Sequence, residues 1–194
     1  MITVVDYDPA WPRAFGELRR RHEVALGGVV IVAIEHVGST SVPGLAAKPV
    51  IDVDIVVARE HLTDAIAAME LAGFRSLGER GIPDRWALDA PSELPRTNTY
   101  VVVDGSLAMR NHLGVRTVLR GDSALRDEYA SLKRSIAAQV DDIDTYIEAK
   151  SAFLSTVLDR AGLTPEAVSY THLRAHETYL LISYAVFCLK KGGG

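Results

Sequence analysis

Apolar residues along this chain alternate between two spacings, and each change of spacing marks an element. Phe15, Leu18, His22, Ala25 and Leu26 recur at helical spacing behind Pro9 and Pro12, which a first turn tolerates, and Gly27-Gly28 closes that helix. Residues 2–5 read as a short strand before it, and the β-branched run 29–37 as a second strand. A loop over 38–49 follows, with Gly38, Gly44, Pro43 and Pro49. In residues 50–57, VIDVDIVV, acids alternate with aliphatics, as in a strand with two different faces. An amphipathic helix over Glu60–Ala72 ends at Gly73, and a short strand is expected near Phe74–Leu77. Residues 78–95 are turn-rich, with room for a strand at Arg85–Leu88, and TNTYVVV (97–103) is a further strand ended by Asp104-Gly105. The remainder is helical. Helices are expected over Leu107–Arg120, from an Asp122 cap with Leu125, Tyr129, Leu132 and Ile136 on one face, and over Asp144–Ala161. With no internal repeat and no linker, the pattern predicts one α/β (α+β) domain: a mixed sheet flanked by helices, with a helical C-terminal third.

Composition bounds the function classes. The chain has 194 residues, 48% hydrophobic and 24% charged, which suits one folded domain with a sizeable core. A net charge of −4 lacks the basic footprint of a nucleic-acid binder. Asp6, Asp8 and Arg13 interrupt any secretory signal, and no apolar run reaches the roughly 20 residues of a membrane span. The expectation is a cytoplasmic protein that binds neither nucleic acid nor membrane.

The pattern breaks after Ala167. Residues 168–194, VSYTHLRAHETYLLISYAVFCLKKGGG, contain two of the six histidines, the single Cys188 and a terminal Lys-Lys-Gly-Gly-Gly. A divergent tail is one reading; a membrane anchor at Leu180–Leu189 is another, but it is about half the necessary length. A third reading accounts for more. VSYTHLRAHET resembles a translated transposase-type sequencing adapter, and ISYAVFCLKK resembles the flow-cell adapter that follows in the same frame. The native domain is therefore expected to be 1–167, with 168–194 an artefact. The tail carries three bases and one acid, which leaves 18 bases and 24 acids, a net charge of −6, and no cysteine. Thiol catalysis and thiolate metal sites are excluded from such a domain.

The chemistry concentrates in EHVGSTSVPGLAAKPVIDVDIVV (35–57). Asp52 and Asp54 are two apart on a predicted strand, so both side chains leave one face, with Cα atoms about 6.6 Å apart. Two carboxylates so placed can converge on a hard cation such as Mg²⁺. The competing reading is an edge strand with a wet acidic face; the aliphatics around the pair argue for a central strand instead. Gly38 allows close backbone approach, and Ser39 and Thr40 offer hydroxyl and N–H donors to phosphate. As an isolated turn, the same residues would mean little. A Walker-A loop fails, because Gly44 is followed by Leu45-Ala46-Ala47 before Lys48.

Several residues keep two readings. His36 either approaches a phosphate or packs beside the turn, and Lys48 either neutralises phosphate or is a solvated loop lysine. His112, Arg116 and Arg120 form a basic stripe at helical spacing that faces the acidic strand or the solvent. Tyr129 with Lys133, and Tyr146 with Lys150, share helix faces and either line the same cleft or pack. The lone His22 on an apolar face reads as core.

A strand, Gly-Ser, a loop and an Asp-x-Asp strand resemble the nucleotidyltransferase superfamily signature. The longer string HVGSTSVPGLAAKPVIDVDIVV resembles the GrpB family, a branch of that superfamily also found fused to some dephospho-coenzyme A kinases. YDPAWPRAF, TNTYVVVDGS, LGVRTVLR and YASLKR … YIEAKSAFL extend the resemblance over about residues 4–161. It implies a nucleotidyltransferase-like fold and a nucleotide site: Asp52 and Asp54 as catalytic metal ligands for Mg²⁺, and Gly38 and Ser39 on the triphosphate. Thr40, Lys48, His36, Asn98, Arg116 and Arg120 are the further candidates around the nucleotide. A polymerase-like member needs a third acid on a later strand, and residues 98–100 hold Asn98, Thr99 and Tyr100; Asp104 at the strand end is a weak substitute. Two functions follow as expectations. One is Mg²⁺-dependent transfer of a nucleotidyl group from a nucleoside triphosphate to an unknown acceptor. The other is a non-catalytic domain that binds a nucleotide or another phosphorylated small molecule, linked to coenzyme A biosynthesis.

Overall fold

In the computed structural model, which describes residues 2–163, Pro12 in the first turn and a left-handed Gly27 at the end bound helix α1 (Trp11–Leu26). The strands β1 (Ala33–Val37), β2 (Ile51–Val57), β3 (Arg75–Ser76), β4 (Arg85–Asp89) and β5 (Thr97–Val103) form one sheet in the order β1-β2-β5-β4-β3. Only the β2–β5 pair is parallel; the chain crosses between them through α2 (Leu62–Leu71) and the β3–β4 hairpin, as a parallel pair requires. The helices α3 (Leu107–Gly121), α4 (Ser123–Gln139), α5 (Ile143–Ala149) and α6 (Ser151–Arg160) complete the helical third. The mixed sheet flanked by helices is the architecture expected. The 168–194 segment and the 167 boundary lie outside the described residues.

The two faces of β2 have different fates. Val53, Ile55 and Val57 join Val101 and Val103 of β5 in a core against Leu18 and Leu26 of α1 and Ala65 and Met69 of α2. Asp52 and Asp54 leave the opposite face, one residue out of phase. A second core forms on that side. Val42, Leu45 and Ala46 of the 38–49 loop pack with Leu119 of α3, Leu125 and Tyr129 of α4, and Val157 of α6.

Three expectations are corrected. Residues 2–5 make only an isolated bridge between Val5 and Ala47, because the segment opposite turns at Pro43 and Pro49. The second strand is shorter than 29–37: Ala33 pairs with Val56, so β2 is exhausted one residue beyond, and Val30 and Val32 are left exposed. The last helix is broken at Lys150, whose N–H bonds the Ile147 carbonyl three residues back. The Ser151 hydroxyl also donates to that carbonyl, a back-bond that bends helices. Elsewhere the caps are as expected: the Asp122 carboxylate accepts the Leu125 N–H at 2.9 Å and starts α4.

Candidate active site

Gly38 is held where only glycine fits. Its φ of +69° with ψ of −173° is a region closed to other residues, and a Cβ there would lie 2.1 Å from Asp52 Oδ2. The turn therefore lies flat against the first aspartate. Ser39 begins a short 3-10 turn (Ser39–Ser41), and the Ser41 hydroxyl closes it by donating to the Gly38 carbonyl at 2.6 Å.

The acid pair sits on a strand paired on both sides, so the wet-edge reading fails. Asp54 is fully buried and Asp52 partly so. Each has a donor. Asn98, opposite Asp52 on β5, donates to Asp52 Oδ1 at 2.7 Å, and His112 Nδ1 lies 2.7 Å from Asp54 Oδ2. These contacts offset part of the cost of placing two carboxylates together away from water. Asp54 Oδ1 is buried with no hydrogen-bond partner among the described residues. Tyr100, opposite Asp54, packs obliquely on His112, with the Arg85 guanidinium 4.5 Å over its ring.

Beside Asp52 and the Gly38-Ser39 turn opens a cavity of about 240 Å³. Its far wall comes from the helical third: Tyr129 and Lys133 of α4, Tyr146 of α5, and Lys150 between α5 and α6. Lys48 completes it from the loop. Lys133 is 2% exposed; its Nζ donates to Ser39 Oγ at 3.0 Å and lies 4.5 Å over the Tyr129 ring. Burial, then Lys150 and Arg134 nearby, pull its pKa down to about 6, against the opposing attraction of Asp52. Lys150 and Lys48 stand 4.4 and 5.7 Å from the Tyr146 ring centre. Burial lowers the Lys48 pKa and pushes the Tyr146 hydroxyl up to about 12.

Other sequence candidates hold the turn from behind. His36 stacks on Phe15 with ring centres 4.7 Å apart, and its Nε2 lies 3.0 Å from Thr40 Oγ1. The Thr40 hydroxyl gives its one proton to the Val50 carbonyl, so His36 Nε2 is the donor to Thr40. Burial and the charges of Arg120 and Arg116 hold the His36 pKa at about 4, so this ring is neutral. Arg116 donates to Glu35 and to the His36 carbonyl, and Arg120 makes two bonds to the Ser41 carbonyl, at 3.0 and 2.6 Å. Neither arginine lines the cavity; of the basic stripe on α3, only His112 reaches it. His22 is core: buried, donating from Nδ1 to the Leu18 carbonyl at 2.6 Å.

Of the two readings the sequence left open for Tyr129 with Lys133 and Tyr146 with Lys150, the structure bears out the shared cleft: all four line the cavity. The available signal was a lysine four residues after a tyrosine on the apolar face of a helix, a place where an ammonium is seldom buried without a task.

A family model described as GrpB protein matches residues 1–160. The chain belongs to the GrpB family. Among GrpB-family relatives, the UPF0157 protein BH1888 of Halalkalibacterium halodurans is 36% identical over 167 residues, covering 84% of each chain. The UPF0157 protein YqkA of Bacillus subtilis is 33% identical over 162 residues, 82% of this chain and 47% of that one, so the chain spans about half of that relative's length. The crystal structure of conserved protein GrpB from Enterococcus faecalis matches with a TM-score of 0.72 at 32% identity, over 82% of this chain and 96% of that one. A Cid1 poly(U) polymerase structure with Mg 3′-dATP bound matches with a TM-score of 0.53 at 15% identity, over 80% of this chain and 50% of that one. That likeness shows a shared nucleotidyltransferase-type fold.

Two carboxylates are a donor set compatible with magnesium: Asp52 lines the cavity, whereas Asp54 is fully buried and is not among the residues that line it. Magnesium is commonly held by one or two carboxylates plus substrate phosphates and water, and Asp54 has an unsatisfied buried oxygen. Among the described residues, no group of three or more His, Cys, Asp or Glu forms a metal cage. No described helix is long and apolar enough to cross a membrane.

Proposed function

We propose that this GrpB-family protein binds a nucleoside triphosphate with Mg²⁺ in the cleft and transfers its nucleotidyl group to an acceptor. One observation carries the reading: a glycine-serine turn packed on Asp52 shares a cavity with Lys48, Lys133 and Lys150. Asp52 and Asp54 would hold the ion, which supplies charge neutralisation on the phosphates when bound. The Ser39 hydroxyl and the lysines grip the phosphate chain and offset charge developing on the leaving pyrophosphate. Gly38 sets the distance between the turn and Asp52, and Asn98 fixes the orientation of the Asp52 carboxylate.

Isothermal titration of the full chain with each of the four nucleoside triphosphates and Mg²⁺, paired with a pyrophosphate-release assay, tests this. Binding that Asp52→Asn and Asp54→Asn weaken at least tenfold, about 1.4 kcal/mol, is the expected result. No heat with any nucleotide removes the reading.

A second reading has its own support. The β5 residue opposite Asp52 is Asn98, whose amide cannot take a proton from an acceptor, and His112 already engages Asp54. A domain that binds a phosphorylated ligand without turning it over fits those contacts. Nucleotide binding with no pyrophosphate release decides for it.

A further inference from the structure

Base recognition in a nucleotide site needs an open aromatic face or amide groups able to read base edges. The cleft's tyrosines offer little of the first. Tyr146 is 1% exposed and Tyr129 3% exposed. Phe153 stacks on Tyr129 at 4.9 Å while the Lys133 Nζ lies over the same ring. Tyr146 carries Lys150 and Lys48, and Tyr100 lies against Arg85 and His112. Of the amides on the wall, Asn98 gives an N–H to Asp52, and Asn111 is 5% exposed with its Oδ1 a single buried acceptor, too few groups to tell one base edge from another. The charge balance points the other way. Among the described residues that line the cavity, three are lysines and one, Asp52, is a carboxylate. Its volume of about 240 Å³ is also below the roughly 300–1,000 Å³ typical of pockets that enclose a whole small-molecule ligand.

We infer that the cleft reads the phosphate chain of its ligand and is indifferent to the base, which stays outside. Lys48, Lys133, Lys150 and the Ser39 turn supply the recognition. The tyrosines position those lysine side chains by presenting ring faces to them, and do not stack on a ligand; Lys133, with its lowered pKa, gains its full charge only once an anion is beside it. The inference rests on the triphosphate reading above and narrows it: inorganic tripolyphosphate is as good a ligand as any nucleoside triphosphate.

The experiment is isothermal titration of the full chain, in Mg²⁺ buffer, with sodium tripolyphosphate, ATP, GTP, CTP, UTP and adenosine in turn. The expected result is dissociation constants within about threefold of one another for the five phosphate ligands, and no heat with adenosine. Lys150→Gln and Lys48→Gln, each checked for folding by circular dichroism, are expected to weaken all five alike, by about tenfold. One nucleotide binding more than about tenfold tighter than tripolyphosphate overturns the inference and leaves the triphosphate reading intact. Silence with all six ligands overturns both. Equal binding without pyrophosphate release upholds the inference and removes only the transfer step.

Discussion

Lys133 is a residue the fold would be more stable without. Its pKa of about 6 in the folded protein, against 10.5 for the free side chain, means the unfolded chain carries the extra proton between those values. Stability contributed at this position therefore rises with pH from about 6 upward, and the cost is greatest below that. Lys133→Met keeps the volume and removes the buried amine. It is expected to raise the melting temperature, by about 2–4 °C for each kcal/mol recovered, and to flatten the rise in stability between pH 6 and 9. Phosphate binding should be lost in the same variant; a lower melting temperature at pH 6 contradicts the argument. His36 works in the same direction at lower pH. Its folded pKa of about 4 against 6.5 makes its contribution complete above 6.5 and progressively lost as pH falls toward 4. His36→Gln should show a shallower acid-side loss of stability than the parent, measured by urea unfolding at pH 7, 6 and 5. Gly38→Ala sets a Cβ against Asp52 and strains a backbone of positive φ, so a loss of about 2–4 kcal/mol is expected in the same measurement.

At the scale of elements, the 38–49 loop owes its shape to arginines reaching it from the helices. Arg116 binds the His36 carbonyl at the end of β1, Arg120 the Ser41 carbonyl and Arg126 the Pro43 carbonyl, so the entry to the loop and two points within it are tied to α3 and α4. Arg120→Ala leaves the Ser41 carbonyl without its two donors. It should cost about 1–2 kcal/mol of stability and weaken phosphate binding, with the affinity loss recovered in part by Arg120→Lys. A binding loss with no stability change would instead indicate direct contact with ligand. These arginines also show what the sequence could convey. The central strands and the caps follow from local pattern: 97–103 forms β5 as expected and Asp122 caps α4, whereas the ends of the 2–5 and 29–37 runs depend on what lies opposite them. That a basic stripe would spend two of its three members on carbonyls behind the turn is a matter of helix placement. A sequence spacing says which residues share a face, and which surface that face meets is set by packing far along the chain. The same limit hid the Lys133–Ser39 contact, whose partners are 94 residues apart, and the Asp54–His112 pair at a separation of 58.

On the scale of the whole molecule, the site lies between two hydrophobic clusters that share no residue. One joins the sheet to α1 and α2; the other joins the 38–49 loop to α3, α4 and α6. Asp52 and Gly38 belong to the sheet side of the cleft, Lys133 and Lys150 to the helical side, and the cavity separates them. On the proposed reading, a phosphate chain seated there would meet lysines from the helical layer and the Gly38-Ser39 turn and Asp52 from the sheet layer. Binding therefore adds a bridge between layers already joined by the loop and by α3, through His112 on Asp54 and Arg116 on Glu35. A ligand at one hundred times its dissociation constant adds about 2.7 kcal/mol to any opening that destroys the site. Separation of the helical layer is such an opening, whereas fraying of α1 or of the β3–β4 hairpin is not. Hydrogen exchange with and without tripolyphosphate is expected to slow selectively in 38–46 and in α4, α5 and α6. Amides of α1, β3 and β4 should exchange at unchanged rates. Uniform slowing would mean that the molecule opens only as one unit, and slowing confined to α1 and α2 would place the ligand on the wrong side of the sheet.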